Sequence, residues 1–301
     1  MDQAPALIEF AKLSGSGNDF ICIDGRDARI ELLLADPSAA GRFAKAIGRR
    51  SLGIGADGVI FACHNEVEGF ADIAARHFEP DGSEAELCGN GVACFTRWAI
   101  ENAFVAQDEL KILTTAGVVR GKRMDDNYVR VCIPLPEAMQ MGLSVEAAGK
   151  SWDCDFIVTG VPHLVCYVDD LESLDIGKLG PALRYHERFS PRGANANFVK
   201  VLAPGKLAMR TWEFGVEGET LACGTGSAAA AIVAASRFGW PAEFFAGQSP
   251  VCVSARSGDV LRVYFEMPQR AKVTDLCIET LVRFICRGVL HDDLARTALG
   301  R

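Results

Sequence analysis

The sequence predicts an α+β protein made of two similar lobes. Three observations carry this prediction. Tracts that alternate or are rich in β-branched and aromatic residues outnumber helix-like ones. Three short motifs recur in the same order at nearly constant offset, the mark of internal duplication. Each copy also ends in a Cys-Gly-x-Gly that opens an apolar, helix-like segment.

The strand-like tracts, in order, are FICID, GVIFAC, YVRVCIPL, DFIVTG, HLVCYV, ANFVKV, VCVSA and LRVYF. The helix-like segments are AAGRFAKAIGRR, VACFTRWAIENAF and SAAAAIVAASRFG. The first echo sets Gly17-Asn18-Asp19-Phe20-Ile21-Cys22 against Val161-Pro162-His163-Leu164-Val165-Cys166. The second sets Gly55-Ala56-Asp57-Gly58-Val59-Ile60 against Ala194-Asn195-Ala196-Asn197-Phe198-Val199. In the third, Phe78-Glu79 leads to Leu87-Cys88-Gly89-Asn90-Gly91, and Trp212-Glu213 leads to Cys223-Gly224-Thr225-Gly226. A turn signal at Asp125-Asp126-Asn127 marks the junction, giving lobes over 1–128 and 129–275. The tract 276–295, with its strand-like RFICRGVL, is a candidate to return to the first lobe.

The chain has 301 residues, 49% of them hydrophobic and 23% charged, enough apolar surface for a full core. Its 31 Lys and Arg against 39 Asp and Glu give a net charge of −8. That balance argues against nucleic acid or an anionic membrane as partner. The opening MDQAPALIEFAKL lacks an apolar signal core, and the apolar tract 228–235 is too short to span a bilayer, so a cytoplasmic protein is expected. Eleven cysteines, without a C-x-x-C, read as reduced core residues in a chain too large to need disulfides. Cys88 and Cys223 stand apart from the rest.

A cysteine at a helix N-terminus lies among unpaired backbone N–H groups and the positive end of the helix dipole. That field is expected to bind a carboxylate and to lower the thiol pKa toward neutrality, where a general base works. Inverting an sp³ carbon needs one group to remove a proton from one face and another to return one on the opposite face. A duplicated lobe bearing one cysteine in each half supplies such a pair. Gly89, Asn90, Gly224 and Thr225 are then candidates to donate to the substrate carboxylate as negative charge spreads into it.

Two other readings of the same residues fail on spacing. Cys88, Cys94 and His77 lie near one another, but without a returning C-x-x-C or H-x3-H they do not form a closed zinc motif. Gly53-Ile-Gly55-Ala-Asp-Gly58 satisfies G-x-G-x-x-G literally, yet a helix-like tract precedes it and a strand-like one follows, the reverse of the dinucleotide fingerprint. No cofactor and no metal are expected.

Over nearly its whole length the chain resembles the diaminopimelate epimerase family. The resemblance runs through GSGNDF, GIGADG, PDGSEAELCGNG, TGVPH, ANANF and WEFGVEGETLACGTG. It implies two pseudo-symmetric lobes, each a curved, mostly antiparallel sheet around a central helix. It also implies a pyridoxal-independent two-base epimerisation of LL-2,6-diaminopimelate to the meso form. Matched by position, Cys88 and Cys223 are the catalytic pair, and His163 and Glu213 tune the thiols. Asn18, Asn195, Gly89-Asn90 and Gly224-Thr225 bind substrate. The partner implied is a small amino acid, with a homodimer as an allowed assembly.

Three departures cluster at positions the resemblance assigns to the far end of the substrate. Phe214 stands where the family has Arg, losing a planar fork that would clamp a distal carboxylate. Glu79 stands where it has Asn, adding a charge that repels a carboxylate and attracts a cation. Val161 replaces a further Asn. Two alternatives to the family's substrate follow: racemisation of another free amino acid with a cationic side chain, Lys, Arg or His, on which Phe214 would stack, and a non-catalytic amino-acid-binding protein. Arg192 is a candidate to replace the missing arginine.

Overall fold

A computed structural model describes residues 8–65, 69–86, 88–269 and 271–299; Leu87 of the first Cys-Gly motif lies outside the described residues. The chain divides into two compact units, Met1–Val131 with Leu281–Arg301, and Cys132–Thr280. The changes of unit therefore fall at 131/132 and 280/281, against the sequence expectation of 128/129 and a return from 276.

In the first unit the elements in chain order are β1 (Glu9–Gly15), β2 (Asn18–Asp24), α1 (Ala28–Leu34), α2 (Pro37–Gly48), β3 (Gly58–Cys63), β4 (Ile73–Phe78), β5 (Glu84–Ala85), α3 (Gly89–Glu101), β6 (Glu109–Thr114), β7 (Gly117–Arg123) and β8 (Tyr128–Cys132). The second contains β9 (Glu137–Ala147), β10 (Lys150–Thr159), β11 (Val161–Tyr167), α4 (Ile176–Arg184), β12 (Asn195–Ala203), β13 (Lys206–Glu213), β14 (Gly218–Thr220), α5 (Gly224–Phe238), a short α6 (Ala242–Phe245), β15 (Val251–Ser254) and β16 (Val260–Glu266). The long β17 (Asp275–Val289) contributes its first residues to the second unit and the rest to the first, which α7 (Asp292–Ala298) completes.

The two units repeat one topology. In the first, β17 pairs antiparallel with β1 and β1 with β2; β2 runs parallel to β3; β3 is antiparallel to β4; β4 is parallel to β6; and β6, β7 and β8 follow as antiparallel neighbours. In the second, β9, β10 and β11 are successively antiparallel, β11 is parallel to β12, β12 antiparallel to β13, β13 parallel to β15, and β15, β16 and β17 close the series antiparallel. β5 and β14 occupy matching places on β4 and β13. The motif echoes in the sequence are thus echoes of position in a repeated sheet. The strand series of the first unit begins with residues from the end of the chain, which is why its repeat is harder to see in sequence order.

Each unit wraps its sheet around one helix. α3 packs on β1, β2, β3 and β7, and α5 on β10, β11, β12, β13, β15 and β16. A helix enclosed by sheet is buried on every face and mostly apolar: Asn90–Trp98 and Gly226–Ala235 are buried except for Arg97. Small side chains let the strands approach closely; α5 is alanine over 228–231 and again at 234–235. α5 stops at Gly239, a left-handed C-cap with φ 56°. A methyl group on Gly121 of β7 would lie 1.9 Å from Thr96 Oγ1 on α3, so only glycine fits that crossing.

The cysteines depart from the reduced-core expectation. Cys132 is exposed and joined to Cys277 in a disulfide, and Cys286 is exposed. Cys22 does fill the core. Cys154 and Cys166 are buried opposite each other on β10 and β11, with sulfurs 2.6 Å apart. Composition could not reveal these pairs, because each depends on which strands become neighbours.

Candidate active site

Both Cys-Gly-x-Gly motifs begin helices, and each cysteine is the N-cap residue: Cys88 of α3 and Cys223 of α5. The two differ in environment, Cys88 being exposed and Cys223 buried.

In the second unit Cys223 sits in a dense polar cluster. Its Sγ accepts from the Gly226 amide at 3.4 Å and lies 3.6 Å from Thr225 Oγ1. A side chain on Gly226 would fall 2.6 Å from Asn197 Oδ1 and 3.2 Å from the sulfur, which explains the second glycine of the motif. Glu213, at the end of β13, hydrogen-bonds the Cys223 thiol and Thr220, and burial raises its pKa above the usual carboxylate value. Burial also pushes the Cys223 thiol up, and the nearby Glu213 charge adds to this. The expectation that the helix terminus lowers this thiol toward neutrality is therefore corrected: desolvation of the thiolate outweighs the donors at the helix start.

His163, buried on β11, lies 3.1 Å from Thr225 Oγ1 through Nε2 and 3.2 Å from Asn197 Nδ2 through Nδ1. Burial lowers its pKa to about 3, so the ring is neutral. Asn195 reaches the same Nε2 from β12 at 3.5 Å, while its Oδ1 accepts from the Phe214 amide at 2.5 Å. Asn197 and Thr211, linked at 3.0 Å, complete the buried network. Sequence reasoning named His163, Asn195, Glu213, Gly224 and Thr225 and missed Asn197 and Thr211. The alternation Asn195-x-Asn197, which sets both side chains on one face of a strand, was the available signal.

Phe214 is 41% exposed, and its ring is covered by two cations. The guanidinium carbon of Arg184 lies 4.3 Å from the ring centroid and that of Arg192 5.9 Å. Arg184 is buried, donates to the Arg192 carbonyl at 2.8 Å and pairs with Glu217 at 3.2 Å. Two arginines thus flank the position that lacks the family's arginine, the charge of Arg184 being paired with Glu217, and Arg184 gave no sign of this in the sequence.

In the first unit Asn90 follows Cys88 by two residues, as Thr225 follows Cys223. Its Nδ2 donates to Asn18 Oδ1 at 2.8 Å, and Asn18 Nδ2 to Asp57 Oδ2 at 3.4 Å. Asp57 ties the GIGADG loop to β2: its Oδ2 accepts from the Asp19 amide at 3.1 Å, and its own amide donates to Asp19 Oδ1 at 2.9 Å. Gly89 has open space where a side chain would stand. Glu79 lies 3.9 Å from His77 Nδ1; burial raises its pKa, and Asp81 and Asp57 add to this. Cys88, Gly89, Asn90, Asn18 and Glu79 thus belong to one unit, and Cys223, Gly224, Thr225, His163, Asn195, Glu213 and Phe214 to the other.

Among the described residues, the one group of side chains with metal-ligand spacing is Cys132, Asp275 and Cys277, whose two sulfurs are joined in the disulfide. No helix is long and apolar enough to cross a membrane among the described residues.

The family model for diaminopimelate epimerase matches residues 10–133 and 156–261. The chain is 39% identical over 263 residues to a diaminopimelate epimerase of Aquifex aeolicus, covering 86% of this chain and 90% of that one. It is 36% identical over 300 residues to one of Methanothrix thermoacetophila, covering 96% and 98%. Among solved structures, a phenazine biosynthesis protein of Bacillus anthracis superposes with a TM-score of 0.69 at 14% identity, over 95% of this chain and 99% of that one. A hydroxyproline epimerase of Agrobacterium vitis superposes with a TM-score of 0.63 at 12% identity, over 94% and 91%. At such identity these likenesses establish a shared fold.

Proposed function

Because the chain belongs to the diaminopimelate epimerase family, we propose that it is an isomerase converting LL-2,6-diaminopimelate to the meso form without pyridoxal phosphate, in lysine biosynthesis. The observation that carries this reading is a cysteine at the N-cap of the enclosed helix in each copy of a repeated unit.

One sulfur, as thiolate, removes the α-proton from one face of the carbon. The other, as thiol, delivers a proton to the opposite face. Between these steps negative charge spreads into the α-carboxylate, where the backbone N–H groups at the starts of α3 and α5, from Gly89-Asn90 and Gly224-Thr225, stabilise it. The forward reaction exchanges the protonation states of the two sulfurs. The surroundings of Cys223 suit both: Glu213 accepts from the thiol, while Gly226 N–H and Thr225 lie beside the sulfur as donors to a thiolate.

Arg192 beside Phe214, with Arg184 committed to Glu217, favours a substrate with a second carboxylate. Glu79, with Asp57 and Asp81 among the charges acting on it, favours the second reading, a free amino acid with a cationic side chain. Proton NMR in D₂O of LL-diaminopimelate, L-lysine, L-arginine and L-histidine, without pyridoxal phosphate, separates the two. α-Proton exchange is expected with diaminopimelate and is expected to vanish in Cys88→Ala and in Cys223→Ala. Exchange confined to a monocarboxylic amino acid would transfer the assignment to the second reading, and undiminished exchange in either variant would end the two-thiol mechanism. A cytoplasmic setting and a homodimer complete the proposal, tested by cell fractionation and by light scattering.

A further inference from the structure

The hydrogen-bond directions around Cys223 follow from one unambiguous acceptor. The Leu164 carbonyl can only accept, so the Asn197 side chain turns its nitrogen toward it, at 3.0 Å, and its oxygen toward the Thr211 hydroxyl. The same nitrogen lies 3.2 Å from His163 Nδ1, which therefore accepts. A neutral imidazole has one hydrogen; both ring nitrogens face an amide NH2, Nδ1 at 3.2 Å from Asn197 and Nε2 at 3.5 Å from Asn195, but among the described residues only Nε2 also has an acceptor within reach, Thr225 Oγ1 at 3.1 Å, so the hydrogen is placed there. With its oxygen accepting from the ring, the threonine hydroxyl has its own hydrogen left to give, and the Cys223 sulfur lies 3.6 Å away.

We propose that Thr225 is a positioning residue whose side-chain hydroxyl, oriented by His163, donates to the Cys223 sulfur and stabilises the thiolate whenever that sulfur gives up its proton. The role is separate from that of the Thr225 backbone amide, and it rests on the two-thiol reading of the site.

Three features support the assignment. His163 is buried and neutral well below neutral pH, so its donor sense stays constant over the working range. The Thr225 backbone is pinned independently by the Thr159 hydroxyl, which donates to its carbonyl at 2.9 Å, so the side chain is presented in one place. Among the described residues, the ionisable groups facing the sulfur are Glu213 from β13 and, through Thr225, His163 from β11. Glu213 favours the protonated sulfur, so the hydroxyl and the Gly226 amide are the groups that oppose it. The first unit has Asn90 in the equivalent place, its Nδ2 donating to Asn18 Oδ1 at 2.8 Å.

The test is the pH dependence of Cys223 alkylation by iodoacetamide, read by mass spectrometry on the full-length chain with Cys88→Ser. Thr225→Val is expected to raise the alkylation midpoint by about one unit, slowing the reaction roughly tenfold at a fixed pH below it. Thr225→Ser, which keeps the hydroxyl, is expected to follow the parent. His163→Gln is expected to shift the midpoint when Thr225 is present and to have no further effect beside Thr225→Val, the coupling a relay requires. Thr225→Ala, which adds no bulk, repeats the measurement if the valine variant does not fold. A Val or Ala profile superimposable on the parent, or a serine variant displaced as far as valine, would overturn the proposal. Alkylation needs no turnover, so failure of α-proton exchange would sink the two-thiol reading and leave this result standing.

Discussion

Cys223 is held by groups of opposite preference, and removing either kind should move it in opposite directions. Burial comes first among the causes of its raised pKa and the Glu213 charge second. Glu213→Gln is therefore expected to lower the alkylation midpoint of Cys223, and an unchanged or raised midpoint would show that the carboxylate does not act on the sulfur. His163 makes a separate prediction about stability. Its folded pKa, about 3, lies below the usual histidine value of about 6.5. The unfolded chain thus binds more protons between these values, so its contribution to stability is full above about 6.5 and is lost as pH falls toward 3. Between pH 7 and pH 5 this one residue should cost about 2 kcal/mol. Urea unfolding of His163→Gln should show a shallower decline over that range; parallel declines would mean the histidine protonates in the fold.

At the scale of elements, the tightest packing is where the enclosed helix meets its sheet. Gly121→Ala drives a methyl group into Thr96 on α3 and is expected to cost about 1–3 kcal/mol of unfolding free energy; an unaffected denaturation midpoint would mean β7 moves away freely. The Cys132–Cys277 disulfide joins segments 145 residues apart, and Cys132→Ser with Cys277→Ser is expected to lower stability by about 2–4 kcal/mol under oxidising conditions and by far less with reductant present. These contacts also mark the limit of what the sequence discloses. The starts of α3 and α5, β2, β3, β11 and β12 were legible because period, glycine and the Cys-Gly motif coincide there. The pairing of Cys132 with Cys277, the stacking of Arg184 on Phe214 and the support of His163 by Asn197 were not. Each depends on which strands become neighbours, and no local pattern states that.

For the whole molecule, the consequence of the repeated topology is that the units depend differently on chain order. Cys132–Thr280 is contiguous and contains every strand of its series, whereas the first unit takes its opening strand and α7 from the other end of the chain. β17 meets β1 with Val289 opposite Glu9, and α7 packs on α2, so that late segment closes a core already holding Ile8, Phe43 and Ile47. Without it, β1 has an unpaired edge, and Ile8 and its neighbours lose the Leu290 and Ala295 side chains that complete their cluster. Residues 132–280 expressed alone are accordingly expected to fold, with dispersed amide NMR signals, while 1–131 alone is expected to aggregate. A permuted chain in which 281–301 precedes residue 1 and ends at 131 places Val289 and Glu9 close in sequence as they already are in the sheet, and should recover dispersion. A well-folded 1–131 would mean that the closing strand is an addition to the first unit; failure of both the fragment and the permutant would mean that this unit forms only while attached to the second.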